Sequence, residues 1–311
     1  MQENDAQPDV TYSAAEQGMV GVFFRGVLMG LAELVPGVSG GTMAFISGIY
    51  YRLIGALASF GLGSVRLLRY PGKFWRHHQL PFLLALGLGM GIGIAGFARV
   101  IGYLMEHAQP VLWAFFAGVI VVSVYQIGSA RHKKNLLAFG TLGLVLGLGF
   151  LALPAQNLSG SLVALYFAGM VAVCAWILPG ISGSFVLLLL GLYADVILAV
   201  NELDLTFLLV LGAGCASGLL LFTRALSWLL AHFEDPLLAL LTGFMATALL
   251  KLWPWQQSGL NSEGPWQNLF APLLWPSQYA AEVGADFVWI ALGAAAMGGM
   301  GVWLLSKFSP R

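Results

Sequence analysis

Charge is what this chain has least of. Asp, Glu, Lys and Arg together make up 9% of its 311 residues, where a soluble domain carries about a quarter. An ordinary water-facing surface is therefore excluded. Positive and negative residues balance to a net charge of zero, so nothing in the overall charge suggests nucleic acid. Cysteine is scarce as well. Cys174 and Cys215 both lie in apolar segments without metal-ligand spacing, and read as small core residues. The chain has no Walker motif, no Cys/His metal cluster and no convincing catalytic triad. That argues against ATP-driven work by this chain alone and leaves no cofactor or metal to expect. Residues 1–18 contain no Lys or Arg, so they lack the basic n-region of a signal peptide and read as a polar cytoplasmic segment. His77-His78 sits in a basic loop, and His107 and His232 close apolar runs; all four read as interfacial.

What is abundant is apolar sequence. Hydrophobic residues form 59% of the chain and mean hydropathy is +0.84. Apolar runs fall at 19–34, 40–58, 81–105, 110–128, 135–153, 160–178, 184–200, 205–231, 236–253 and 285–306. A full span needs about 20 residues. Forty glycines suit close helix packing in lipid. The class is an all-α polytopic membrane protein.

The chain also repeats itself. Pro36-Gly37-Val38-Ser39-Gly40 returns as Pro179-Gly180-Ile181-Ser182-Gly183, 143 residues later, and Gly48 and Tyr50 return as Gly191 and Tyr193 at the same offset. Further on, Phe82-Leu83-Leu84, Gly87, Gly89, Arg99, His107 and Gly118 match Phe207-Leu208-Leu209, Gly212, Gly214, Arg224, His232 and Gly243 at offset 125. The difference is an 18-residue insertion in the first half, within Ser59–Leu80. A Pro-Gly-x-Ser-Gly break in an apolar run survives in a membrane only where protein or a cavity surrounds it. A pair of such breaks at corresponding places points to a transporter's binding site. Each half is expected to be a broken, re-entrant hairpin plus three spans. Three net crossings are odd, so the second half should be inverted relative to the first. The expected units are residues 19–158, with an amphipathic interfacial insertion at 59–80, and residues 159–311, with an outer interfacial loop at 254–284.

Charge placement agrees with that topology. Arg66, Arg69, Lys73, Arg76, Arg131, Lys133, Lys134, Lys307 and Arg311 fall on one side of it. The segments 154–160, 200–206 and 254–284 on the other side contain no Lys or Arg. The positive-inside rule makes the first side cytoplasmic, with both termini.

Each turn leads into a helix start, where free backbone N–H groups favour an anion. Gly37, Ser39, Gly40, Gly41 and Thr42 in one half, and Gly180, Ser182, Gly183 and Ser184 in the other, are the candidate anion-binding residues; the alternative is a pair of helix breaks capped by serine. Ionisable residues inside apolar runs are functional candidates by default. Arg99 and Arg224, repeat mates, could grip phosphate oxygens bidentately. Glu33, whose repeat mate is Trp176, is a candidate proton-coupling group. Arg25, Arg52 and Asp195 are open between structural and functional roles; Arg25 could pair with Glu33.

The run Glu33-Leu34-Val35-Pro36-Gly37-Val38-Ser39-Gly40-Gly41-Thr42, with Leu178-Pro179-Gly180-Ile181-Ser182-Gly183-Ser184, resembles the PopT family of bacterial polyprenyl-phosphate transporters over about residues 19–307. The resemblance implies return of undecaprenyl phosphate across the bacterial cytoplasmic membrane for reuse in envelope-polymer (peptidoglycan) synthesis. It marks Glu33, Pro36, Gly37, Ser39, Gly40, Gly41, Thr42, Pro179, Gly180, Ser182, Gly183 and Ser184 as motif positions. Expected partners are a polyprenyl phosphate and membrane lipids, with a homo-oligomer left open. Two rivals share part of the pattern. A membrane undecaprenyl-pyrophosphate phosphatase would need an Arg after the turn and a second carboxylate, and here the turn continues Gly40-Gly41 with Glu33 alone. A small-anion carrier or channel shares the half-helix logic but does not explain a site open sideways to lipid.

Overall fold

Glycine and proline divide the apolar sequence into helices. The computed structural model describes residues 18–35, 38–61, 63–153, 158, 161–256, 273–284 and 287–308. Five helices among them are long and apolar enough to cross a bilayer: α6 (Leu80–His107), α7 (Gln109–Ser129), the continuous span Lys133–Leu151, α13 (Leu205–His232) and α16 (Val288–Phe308). The span Lys133–Leu151 comprises α8 (Lys133–Asn135), a π turn (Leu136–Gly140) and α9 (Thr141–Leu151). A sixth expected span, α14 (Glu234–Lys251), carries Glu234 and Asp235 at its start and Lys251 at its end.

The leading helices of the two halves, α1 (Met19–Glu33) and α10 (Leu162–Ile177), are too short to cross. Fifteen or sixteen residues rise only about 22–24 Å, against a hydrocarbon core of about 30 Å. Each ends at its Pro-Gly motif. Each following run, read from sequence as one piece (40–58 and 184–200), is broken once more. In the first half it becomes α2 (Gly40–Ile46) and α3 (Tyr50–Ala58); in the second, α11 (Gly183–Leu189) and α12 (Tyr193–Glu202), bent by 108°. Gly48 and Gly191 cause these breaks. Their φ values of 74° and 73° lie in the left-handed region that glycine enters without strain.

Small residues then decide which helices touch. On α1, Gly26 and Gly30 lie against the carbonyls of Leu86 and Met90 of α6; on α6, Gly89 and Gly93 lie against Phe23 and Val27. The second half repeats three of these four contacts with the matching residues. Gly169 of α10 meets Leu211 of α13, and Gly214 and Gly218 meet Tyr166 and Met170. In both pairs the numbers rise together, so α1 runs parallel to α6 and α10 to α13.

The last helices are exchanged between the halves. Gly118 of α7 packs on Ala295 of α16 and Gly298 on Phe115, while Gly243 of α14 packs on Gly140 and Gly143 on Leu240. Each half therefore supplies a closing helix to the other, at a third offset of 155, which the periodicity of the sequence did not expose.

Polar contacts gather several helix ends on one face. The segment 59–80 forms the exposed short helices α4 (Ser64–Leu67) and α5 (Pro71–His77). Beside it, Arg52 of α3 donates to Gln79 at 2.9 Å and lies over the Phe82 ring at the start of α6. Its neighbour Tyr51 donates to Glu234, just past the end of α13, at 2.6 Å. Asp235 meets Arg131 at 3.4 Å and accepts from Asn135 at 2.8 Å. The start of α6 and the end of its repeat mate α13 thus share a face with the basic residues. The opposite end carries α15 (Pro276–Val283) and the cluster of Trp255, Tyr279, Ala114 and Ala291. Most of the expected outer loop, 257–272, lies outside the described residues.

Candidate functional site

The two Pro-Gly motifs stand far apart in sequence and interlock in space. Ser39 donates to the carbonyl oxygens of Trp176 and Leu178 at 3.2 and 3.4 Å. The Gly180 amide donates to Thr42 Oγ1 at 3.0 Å. Gly41 allows the close approach, since a methyl group there would run into Ile177 O and come within 3.0 Å of Trp176 O. Gly180 takes φ +89° and packs on Met245 of α14. Ser39, Thr42 and Ser182 are all buried. Gly37, the matching glycine of the first turn, and Pro36 lie outside the described residues.

At the first turn the amides that open α2 are held from within. Glu33 accepts from the Gly40 amide at 2.6 Å, and Ser39 Oγ accepts from the Gly41 amide at 3.1 Å. Trp176, at the position corresponding to Glu33 in the other half, lies beside the Glu33 carboxyl group. The carboxyl group therefore sits at the start of α2, on the Gly40 amide and beside the other half.

The second turn is arranged differently. Ser182 makes no side-chain cap on α11. Its hydroxyl instead shares a 2.7 Å hydrogen bond with Ser184. Two hydroxyls sharing one hydrogen bond leave a second O–H donor for another acceptor. Gly183 has no side chain and lies close to Ala172 O and Trp176.

The arginines are placed elsewhere. Arg224 is exposed and donates to Phe60 O at 2.7 Å. Arg99 is also exposed. Two residues on, Ile101 is buried in the cluster with Val35 and Val38, and two helical positions turn a side chain by about 200°. The fold therefore does not bring the paired guanidiniums to the turns. Arg25 donates to Ser47 O at 2.9 Å, at the end of α2, so it caps a short helix and does not pair with Glu33.

Lys251 was not in the sequence-based set, although it falls within the apolar run 236–253 and an ionisable residue there is a warning signal. Its amine lies 3.1 Å from the centre of the Phe185 ring. Phe185 directly follows Ser184. Trp176 was visible in the sequence as the mate of Glu33, but nothing there showed that it touches it.

Comparison with known proteins agrees with the motif. Residues 29–264 match a family model described as undecaprenyl phosphate translocase-like. A polyprenyl-phosphate transporter of Vibrio cholerae is 36% identical over 275 residues, covering 86% of this chain and 89% of that protein. One from Staphylococcus aureus is 31% identical over 251 residues, covering 74% and 84%. No solved structure matches.

Proposed function

The chain belongs to the undecaprenyl phosphate translocase-like family, whose curated relatives are transporters and not enzymes, and on that premise we propose that it carries a polyprenyl phosphate, undecaprenyl phosphate in particular, from the outer to the inner leaflet of the bacterial cytoplasmic membrane. The phosphate binds where the two turns meet, and the isoprenoid tail stays in the bilayer. The observation that carries the reading is the interlock of the turns through Ser39, Thr42 and Gly180. Irregular backbone from both halves converges on one place, as half-helix binding sites of repeat transporters do.

The halves act as inverted repeats in this reading. The shared face of the start of α6 and the end of α13 supports opposite directions for these mates. The basic residues on that face make it cytoplasmic by the positive-inside rule. Gating of one half against the other would expose the turns to each leaflet in turn.

Glu33 is the internal competitor. While it holds the Gly40 amide, the first turn is closed to a second anion. A proton on Glu33 removes that negative charge, and the phosphate can take its place, which links substrate movement to proton movement. Gly183 and the hydroxyls of Ser182 and Ser184 receive the phosphate on the other side. The test is a leaflet-resolved assay in proteoliposomes with a fluorescent polyprenyl phosphate. Wild-type protein should move it and the double variant Ser39→Ala/Thr42→Val should not. Equal rates with and without wild-type protein would refute the proposal.

A further inference from the structure

We infer that Lys251 is a phosphate-binding residue of this site, the cation that meets the lipid phosphate at the second turn. The inference rests on the reading above and adds a charge to it. The Lys251 amine is enclosed, and among the described residues it has no hydrogen-bond partner. It lies over the Phe185 ring, which orients a cation but accepts none of its three N–H groups by ordinary hydrogen bonding. A buried ammonium is retained where an anion completes it, and no Asp or Glu meets this one among the described residues.

Its surroundings identify the kind of anion. The same helix, α14, packs Met245 on Gly180 of the second turn. The ring beneath the amine belongs to the residue after the Ser182–Ser184 hydroxyl pair. Gln256 donates to the carbonyls of Lys251 and Trp253 at 2.6 and 2.9 Å and so fixes the end of α14. An ammonium, a spare hydroxyl donor and an aromatic wall suit a small, multiply charged oxyanion attached to an apolar chain. Lys is a point-charge phosphate binder, and the site needs no planar fork. The helix begins at Glu234, next to Asp235 and the basic face, and its 18 residues carry it about 27 Å away. Lys251 therefore stands toward the opposite face, whose connecting segments 154–160, 200–206 and 254–284 contain no Lys or Arg. It is placed to capture a phosphate arriving from that side. The repeat mate of Lys251 is Gln126, which donates to Ser306 at 3.1 Å, so the charge belongs to one half alone.

The test compares wild type, Lys251→Met and Lys251→Arg, purified in nanodiscs, for binding of farnesyl phosphate, with farnesol as the uncharged control. Lys251→Met should weaken farnesyl phosphate roughly ten- to hundredfold, the range of a hydrogen bond to a charged group, and leave farnesol unchanged. Lys251→Arg should restore part of the affinity. Without ligand, Lys251→Met should melt no lower than wild type, because an apolar side chain of similar length replaces a buried charge. Unchanged farnesyl phosphate affinity in Lys251→Met would overturn the inference alone. A lower ligand-free melting temperature, with no rescue by Lys251→Arg, would make the lysine structural. Wild-type protein that does not distinguish farnesyl phosphate from farnesol would overturn the parent reading, and the inference with it.

Discussion

The two turns share a five-residue motif and differ in the polar groups that surround it. At the first, Glu33 and Ser39 close the amides of Gly40 and Gly41. At the second, Ser182 leaves the start of α11 without a side-chain cap and pairs with Ser184, and a buried lysine stands over the next residue, Phe185. One turn contains its own carboxyl group, and the other has a buried amine with no hydrogen-bond partner among the described residues. Breaks of the same sequence motif thus acquire different surroundings from single residues outside the motif: Glu33 against Trp176, and Lys251 against Gln126.

The largest expected effect comes from making the turns alike. Gly41 corresponds to Ser184, so Gly41→Ser gives the first turn the residue of the second. Its Cβ would meet Ile177 O and Trp176 O, and overpacking of this kind typically costs about 1–3 kcal/mol. The variant should lose most of its monodisperse protein in detergent and its transport, while Ser184→Gly should remain folded. Wild-type yield and melting temperature for Gly41→Ser would show that the turns are not held as tightly as the contacts indicate.

Glu33→Gln keeps an acceptor for Gly40 and removes the charge. Transport in proteoliposomes should then no longer respond to an imposed pH gradient, and a wild-type response would remove Glu33 from coupling. Glu33→Ala should in addition lower stability by about 1–3 kcal/mol, since a buried amide loses its partner.

A smaller effect separates the hydroxyls. Thr42→Val leaves the Gly180 amide without its acceptor and should destabilise by about 1–2 kcal/mol, with Thr42→Ser restoring most of it. Ser182→Ala removes no cap and should shift thermal unfolding less than Ser39→Ala. The reverse order would mean that the second turn, not the first, is the structural one.

The smallest effects belong to the arginines. Arg224→Ala removes one hydrogen bond to Phe60 O and should cost at most about 1 kcal/mol; Arg99→Ala should cost less. Both should move lipid phosphate at rates within about twofold of wild type, a figure in keeping with exposed substitutions. Abolished transport in either would return the guanidiniums to the site.

Much of the molecule was legible before any coordinates. The membrane class, most helix boundaries and the paired turns follow from composition and spacing, because lipid forces apolar runs into helices and tolerates breaks only where something else satisfies the backbone. The motif's resemblance also pointed to the family. Arg99 and Arg224 show where such reading ends. Matching repeat positions made them look like a pair, but a repeat relates positions and not directions around a helix. One is turned outward and the other is committed to Phe60 O. Arg25 and Glu33 lie eight residues apart on one helix, and each found its partner on a different segment.

Sequence alone determined the helical membrane class, the duplication, the two Pro-Gly breaks and the shortage of cations in the segments assigned to one side. These are local or periodic properties, set by hydropathy, glycine and proline. Tertiary structure decided the exchange of the closing helices, the placing of Glu33 on the Gly40 amide beside Trp176, and the placing of Lys251 beside the second turn. The helix exchange depends on which glycine faces which carbonyl across a helix pair. Packing in lipid rests on such close approaches and on few directional bonds, and a linear sequence does not display them.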